Sequence, residues 1–115
     1  MPTLTERSCI PCRKDTPPLS AAEKQSFHAE LKGWEIIDDH HLEREFTFRD
    51  FATALAWVNR VGDLAEAEGH HPDIYLTWGR VRIIIWSHAI NNLTLSDFVL
   101  AAKIDQLFTE GAQDS

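Results

Sequence analysis

The sequence predicts an α+β fold, namely a four-stranded antiparallel sheet with helices on one face, in the order α-β-β-α-β-β-α. Two observations predict this class. Three segments repeat apolar residues with the period of a helix, and two pairs of short strand-like segments lie between them. Each pair is separated by a short turn, and strands joined in this way are antiparallel neighbours. With helices on one face, the other face is open to water or covered by a partner subunit.

The first half of the chain contains one helix and one hairpin. Ser20 and Glu23 form a capping-box pattern, which predicts a helix over about 20–32. Segments 34–37 and 42–48 are predicted as strands around an Asp-rich turn. In the second of them apolar and polar side chains alternate, as they do in a half-buried strand.

The second half repeats this plan and adds a final helix. Helical spacing of apolar residues continues through 50–68. Segments 74–78 and 81–86 then predict a second hairpin. The last helix is expected to begin near Thr94, because Thr94 and Asp97 form an arrangement similar to a capping box.

Length and composition indicate a single globular domain. The chain has 115 residues, of which 43% are hydrophobic and 25% are charged. Residues 1–18 hold both cysteines and all but one of the prolines. We therefore expect a flexible N-terminal tail over 1–18, a domain over 19–110 and a C-terminal tail over 111–115.

Charge and hydropathy argue against two classes of partner. The formal net charge of −7 is unsuited to direct nucleic-acid binding, because phosphate backbones require a basic face. No apolar run approaches the ~20 residues that span a membrane, and the N-terminus does not resemble a signal peptide. We expect a cytoplasmic protein that binds neither nucleic acid nor a membrane directly.

The two cysteines are separated by two residues, as Cys9-Ile10-Pro11-Cys12. This spacing is found in redox pairs and in halves of zinc sites. It is equally consistent with two thiols in a tail, because no second cysteine pair completes a tetrahedral site. The sequence leaves both interpretations open.

The candidate functional residues lie where the chain changes secondary structure. Glu66 precedes the adjacent pair His70-His71 by about one helical turn, and Pro72 biases His71 toward extended backbone. Pairing within the second hairpin would bring His88 back toward that pair. These residues could form a small acid–base centre.

Three interpretations of this cluster compete. A metal could be held by three imidazoles, although adjacent ligands are awkward for one ion. The histidines could instead be structural and satisfy backbone carbonyls. In the third interpretation they perform metal-free acid–base catalysis, since imidazole titrates near pH ~6.5 and can act as acid or base. The remaining histidines, His28, His40 and His41, are expected to face solvent.

A wider set of residues has the spacing of a known family motif. The set comprises Glu66, His70-His71-Pro72, Trp78, His88 and Asp97. It resembles the signature of the pterin-4a-carbinolamine dehydratases (4a-hydroxytetrahydrobiopterin dehydratases), and the chain looks like a bacterial-type member. Similar segments stand at 33–34, 46–51, 81–83 and 93–98, so the resemblance extends over about residues 18–110.

The resemblance implies an enzyme that dehydrates a 4a-hydroxytetrahydropterin to a quinonoid dihydropterin in cofactor recycling, with no metal or redox cofactor. By this analogy the acid–base residues are His70, His71 and His88, and the substrate-binding residues are Glu66, Pro72, Ser87 and Asp97. Glu66 would orient His70 or bind the pterin edge. Asp97 has an alternative role as a helix cap, and Trp78 is expected to pack rather than stack on substrate.

The resemblance also implies partners and an alternative function. The family forms homodimers and homotetramers, and it serves aromatic amino-acid hydroxylases. A non-catalytic assembly or transcription-cofactor-like protein on the same fold is the alternative, since fold alone does not determine function. Ile74 and Trp86 depart from the pattern of animal members, which have an aromatic and a small polar residue there.

Overall fold

The computed structural model describes residues 3–7, 9 and 13–111. It confirms the predicted fold class and the order of the elements. A short 3₁₀ turn, Leu4–Glu6, precedes them. The helices and strands are α1 (Ala21–His28), β1 (Glu35–Ile37), β2 (His41–Thr47), α2 (Phe51–Glu68), β3 (Asp73–Leu76), β4 (Arg80–Ile85) and α3 (Leu95–Gly111). Among the described residues, no helix is long and apolar enough to span a membrane.

Helix α1 begins as predicted and ends earlier than expected. The Ser20 hydroxyl accepts from the Glu23 N–H at 3.1 Å, and the Glu23 carboxylate accepts from the Ser20 N–H at 2.9 Å. The helix ends at His28 rather than near residue 32. The side chain of this last residue contacts the loop before β1, where the His28 Nε2 lies 2.7 Å from the Trp34 carbonyl oxygen.

The four strands form one antiparallel sheet in the order β1-β2-β4-β3. The two hairpins are joined by their inner strands, with Leu42 opposite Ile85 and Phe46 opposite Val81. These side chains, together with Ile83, are buried beneath the helices and form the centre of the core. The alternation predicted for the second strand is thereby confirmed at Leu42 and Phe46, between which Arg44 is only partly buried, and in β4 Val81, Ile83 and Ile85 alternate with less buried residues in the same way.

The strand order determines where the candidate site lies. Strand β3 pairs with β4 so that Asp73 lies opposite Ile84. Residues just before β3 and just after β4 must therefore be neighbours at one end of the sheet. Beyond β4 the chain turns, and a bridge between Ser87 and Asn92 closes the turn before α3 begins. This turn brings the first residues of α3 close to the same end of the sheet.

Part of the expected tail packs against the domain. Leu4 is only 2% exposed and belongs to the hydrophobic core, and its 3₁₀ turn contacts α3. Cys9 is half-buried, and its N–H donates to the Glu68 carboxylate at 2.9 Å. The sequence did not indicate this contact, because an isolated leucine among polar residues has no periodicity. The division at residue 18 stays a prediction, and Cys12 lies outside the described residues.

Shortening the Leu4 side chain tests whether the N-terminal segment contributes to stability. Leu4→Ala should lower the free energy of unfolding by about 2–5 kcal/mol, because it removes a buried side chain and leaves a cavity. Urea denaturation of the full chain measures this. Leu55→Ala is the matched control, since Leu55 is 40% exposed on α2. Equal stabilities for the two variants would show that the segment does not pack on the core in solution.

Candidate active site

A cleft of about 490 Å³ opens where the chain enters β3 and leaves β4. We call it the histidine cleft. Its lining residues are Gly69, His70, His71, Pro72, Asp73, Trp86, Ser87, His88 and Ala89. The structure thus brings together at one cavity most of the site residues predicted from the sequence, namely His70, His71, Pro72, Ser87 and His88. The two predicted carboxylates, Glu66 and Asp97, do not line it and contact the histidines instead.

His70 is turned into the protein by the end of α2. Gly69 ends the helix in the left-handed conformation, with φ of 65°, which glycine adopts at little cost. The His70 side chain is 13% exposed, and its Nε2 lies 2.6 Å from the Asp97 Oδ1. Because a carboxylate only accepts hydrogen bonds, Nε2 must donate. The other ring nitrogen, Nδ1, is then the one available for proton exchange.

Asp97 is fully buried at the start of α3 and accepts four hydrogen bonds from three segments, the longest from the Thr94 hydroxyl at 3.5 Å. Its Oδ1 accepts from His70, while its Oδ2 accepts from the Ser87 hydroxyl and from the Thr94 N–H, each at 2.8 Å. The capping contact expected from the sequence is present. At 0% exposure, however, Asp97 offers no surface to a substrate. Its carboxylate acts on the cleft through His70 and Ser87.

Glu66 contacts His71 rather than His70. The Glu66 Oε2 lies 2.5 Å from the His71 Nε2, and their side chains are 78% and 61% exposed. The expectation that Glu66 orients His70 is therefore wrong. The left-handed Gly69 directs His70 inward, whereas the His71 side chain lies at the surface and reaches Glu66 in the last turn of α2. Exposed pairs of this kind contribute at most about 1 kcal/mol, so this contact orients His71 only loosely.

His88 is exposed and stacks on Trp86. The ring centroids are 4.1 Å apart, and the ring planes differ by 13°. His40 and His41 also pack on the indole, with centroids at 5.4 and 6.1 Å. The sequence missed this aromatic cluster, in which His40 and His41 are half-buried rather than fully solvated. These histidines reach Trp86 because β2 pairs with β4, and the alternation of residues within each strand does not reveal which strands pair.

The other residues noted in the sequence lie away from the histidine cleft. Trp78 does not pack as expected, because it is 68% exposed in the turn between β3 and β4. Burial, and then the nearby Glu68 carboxylate, raise the pKa of the Cys9 thiol to about 12. Such a thiol is a poor nucleophile at neutral pH. Within the part of the chain that the structure describes, no three His, Cys, Asp or Glu side chains are grouped to hold a metal ion.

Comparison with known proteins agrees with the motif. The model of the family described as pterin 4 alpha carbinolamine dehydratase matches residues 17–107. The chain belongs to this family. The matched range contains every predicted site residue and all the strands, and it omits most of the N-terminal segment that packs on α3.

Sequence relatives and solved structures extend this result. Two relatives carry pterin-4-alpha-carbinolamine dehydratase as a provisional name. The protein of Rubrobacter xylanophilus is 51% identical over 93% of this chain, and that of Alkaliphilus metalliredigens is 50% identical over 96%; all of each relative is covered. A crystal structure described as a transcriptional coactivator/pterin dehydratase from Brucella melitensis has a TM-score of 0.75 at 28% identity, covering 79% of this chain and 98% of its own.

A second solved structure shows the fold alone. It is described as a pterin dehydratase-like protein identified as a RuBisCO assembly factor in the alpha-carboxysome. Its TM-score is 0.57 at 24% identity, and the match covers 66% of this chain and 89% of that chain. The same arrangement of strands and helices therefore occurs in a protein described as an assembly factor.

Replacement of the buried carboxylate tests the network behind the cleft. Asp97→Asn should lower the free energy of unfolding by about 1–3 kcal/mol. The substitution replaces one carboxylate oxygen by an NH₂ group, so one of the groups that donate to Asp97 would lose its acceptor while it stays buried. Urea denaturation measures the change. The control Asp63→Asn alters an exposed residue of α2 and should stay within about 0.5 kcal/mol of the unsubstituted protein. A loss no larger than that of the control would contradict the network.

Proposed function

We propose that this protein dehydrates a 4a-hydroxytetrahydropterin to the quinonoid dihydropterin, as a step in tetrahydropterin recycling. The observation that carries the proposal is the convergence of His70, His71 and His88 on one cleft in a chain of this family. Three imidazoles at one cavity supply both a proton donor and a proton acceptor near neutral pH.

The reaction needs one acid and one base. Breaking the C4a–O bond is assisted by a proton delivered to the departing hydroxyl, which leaves as water. The proton on N5 goes to a base, and its electron pair forms the N5–C4a double bond. Each such proton transfer, when positioned, accelerates a reaction by about 10²–10⁴-fold. No electron leaves or enters the system, so the reaction itself requires no redox cofactor.

The contacts and exposure of each histidine are consistent with this chemistry. His70 has one nitrogen fixed on a buried carboxylate, as in catalytic pairs in which a carboxylate sets the orientation of an imidazole. His71 and His88 are exposed, so they can approach a substrate and exchange protons with water. Pro72 and Ser87 complete the walls between them. In this proposal the buried Asp97 acts through His70 and Ser87, whereas Glu66, which is exposed beside His71, orients that histidine and can bind the edge of the pterin.

We expect a cytoplasmic homodimer or homotetramer that is functionally linked to an aromatic amino-acid hydroxylase, whose tetrahydropterin oxidation supplies the carbinolamine. A non-catalytic binding role on the same fold is the alternative expected from the sequence. The assay below separates the two, because a protein with only a binding role would not change the rate of dehydration.

A coupled assay tests the catalytic proposal. The carbinolamine is generated by a hydroxylase, and its loss is followed by ultraviolet absorbance, with this protein either untreated or treated beforehand with a chelator that is removed before the assay. His70→Ala, His71→Ala and His88→Ala should each remove about 10²-fold or more of the acceleration above the spontaneous rate, and the chelator should have no effect.

His28→Gln is the matched control, since its amide can still donate to the Trp34 carbonyl and His28 does not line the cleft. It should keep full activity. An unsubstituted protein that does not exceed the spontaneous rate would contradict the proposal, and so would undiminished rates in the three cleft variants. Loss of activity with the chelator would instead favour a metal site.

A further inference from the structure

We infer that Trp86 is a positioning residue for His88, and that a substrate therefore meets His88 at the edge of the imidazole ring rather than on its indole-covered face. The effect of Trp86 on catalysis rests on the proposed function, whereas the stacking of the two rings does not depend on it. The two rings are stacked, with centroids 4.1 Å apart and planes that differ by 13°.

His88 differs from the other cleft histidines in what holds it. His70 and His71 each have a carboxylate within hydrogen-bond distance. Among the contacts of the described chain, no hydrogen bond or ion pair reaches the His88 ring, and its only ring neighbour is the indole of Trp86. An exposed imidazole with no partner samples several rotamers. Stacking between aromatic rings contributes about 0.5–1.5 kcal/mol. That contribution favours one orientation of His88 by roughly 2- to 13-fold.

Trp86 can fix His88 because it is itself held. The rings of His40 and His41, at the end of the β1–β2 turn, pack on the indole. The His40 Nε2 lies 2.7 Å from the Asn91 side-chain oxygen, and the Asn91 N–H reaches the His88 carbonyl at 3.3 Å. The same turn therefore contacts both Trp86 and the loop that carries His88.

A buried lysine ties this turn to the loop a second time. Lys24 is 3% exposed, and its ammonium donates to the Asp39 carbonyl at 2.8 Å and to the Asn92 side-chain oxygen at 2.9 Å. Asp39 belongs to the β1–β2 turn, and Asn92 closes the loop after His88. The indole therefore packs between the β1–β2 turn and the loop after β4, and Lys24 holds these two segments together without contacting the cleft.

The stack limits how a substrate can approach. One face of the His88 ring is covered by the indole, which leaves its nitrogens and its second face. A proton-transferring nitrogen must come within about 2.6–3.2 Å of its partner atom. A flat bicyclic substrate in the cleft would therefore present a heteroatom to the edge of His88, and the orientation of that edge is set by Trp86. A misplacement of about 1 Å can cost on the order of 10²-fold in rate.

Nuclear magnetic resonance tests the geometry without any turnover. In the full chain, the imidazole carbon-bound proton signals of His88, assigned by their loss in His88→Ala, should be shifted upfield by the indole ring current. Trp86→Leu should return them to the positions of a free histidine, and Trp86→Phe should restore part of the shift. The control Trp78→Leu removes an exposed tryptophan far along the hairpin and should leave them unchanged. Absence of an upfield shift in the unsubstituted protein would overturn the inference.

Kinetics then test the consequence. Trp86→Leu should lower kcat by about 2- to 13-fold with KM nearly unchanged, and Trp86→Phe should recover most of that loss. In a His88→Ala background, Trp86→Leu should have no further effect. An equal loss in that background would mean that the indole acts without His88, which contradicts a positioning role. If the unsubstituted protein shows no dehydration, the proposed function fails and the resonance measurement alone decides this inference.

Discussion

One buried carboxylate joins the parts of the molecule that make the site. Asp97 is fully enclosed, and its oxygens are bound by groups from the end of α2, the loop after β4 and the start of α3. A buried carboxylate without donors is strongly unfavourable, so these segments must arrive together. The sheet makes this possible, because the pairing of β3 with β4 places His70 and Ser87 at the same end. The cap of α3 and the orientation of His70 therefore depend on the same carboxylate.

The three histidines of the cleft are supported to different degrees. His70 is enclosed and hydrogen-bonded to a buried group, His71 shares an exposed contact with Glu66, and His88 rests on an indole. His70 is therefore mostly buried, while His71 and His88 are exposed. A site with one fixed imidazole and two adaptable ones can admit a substrate and still present a proton-exchanging nitrogen in a defined direction.

The sequence was most informative where structure is local. Strand alternation and the capping box at Ser20 predicted the fold class and the start of α1, because both depend on residues a few positions apart. The pairing of His70 with Asp97, by contrast, spans 27 residues, and the local pattern around Asp97 indicates only a helix cap. The burial of Leu4 and the packing of His40 on Trp86 follow from strand order and helix docking, which periodicity does not encode.

Asp97 fixes His70 with Nε2 protonated and leaves Nδ1 to exchange protons. Long-range nitrogen–proton correlation spectra of the histidines, recorded across a pH titration of the full chain, measure this directly. We expect Nε2 of His70 to carry a proton at every pH at which the protein is folded, and Nδ1 alone to gain or lose one. A neutral His70 with its proton on Nδ1, or a mixture of the two tautomers, would contradict it.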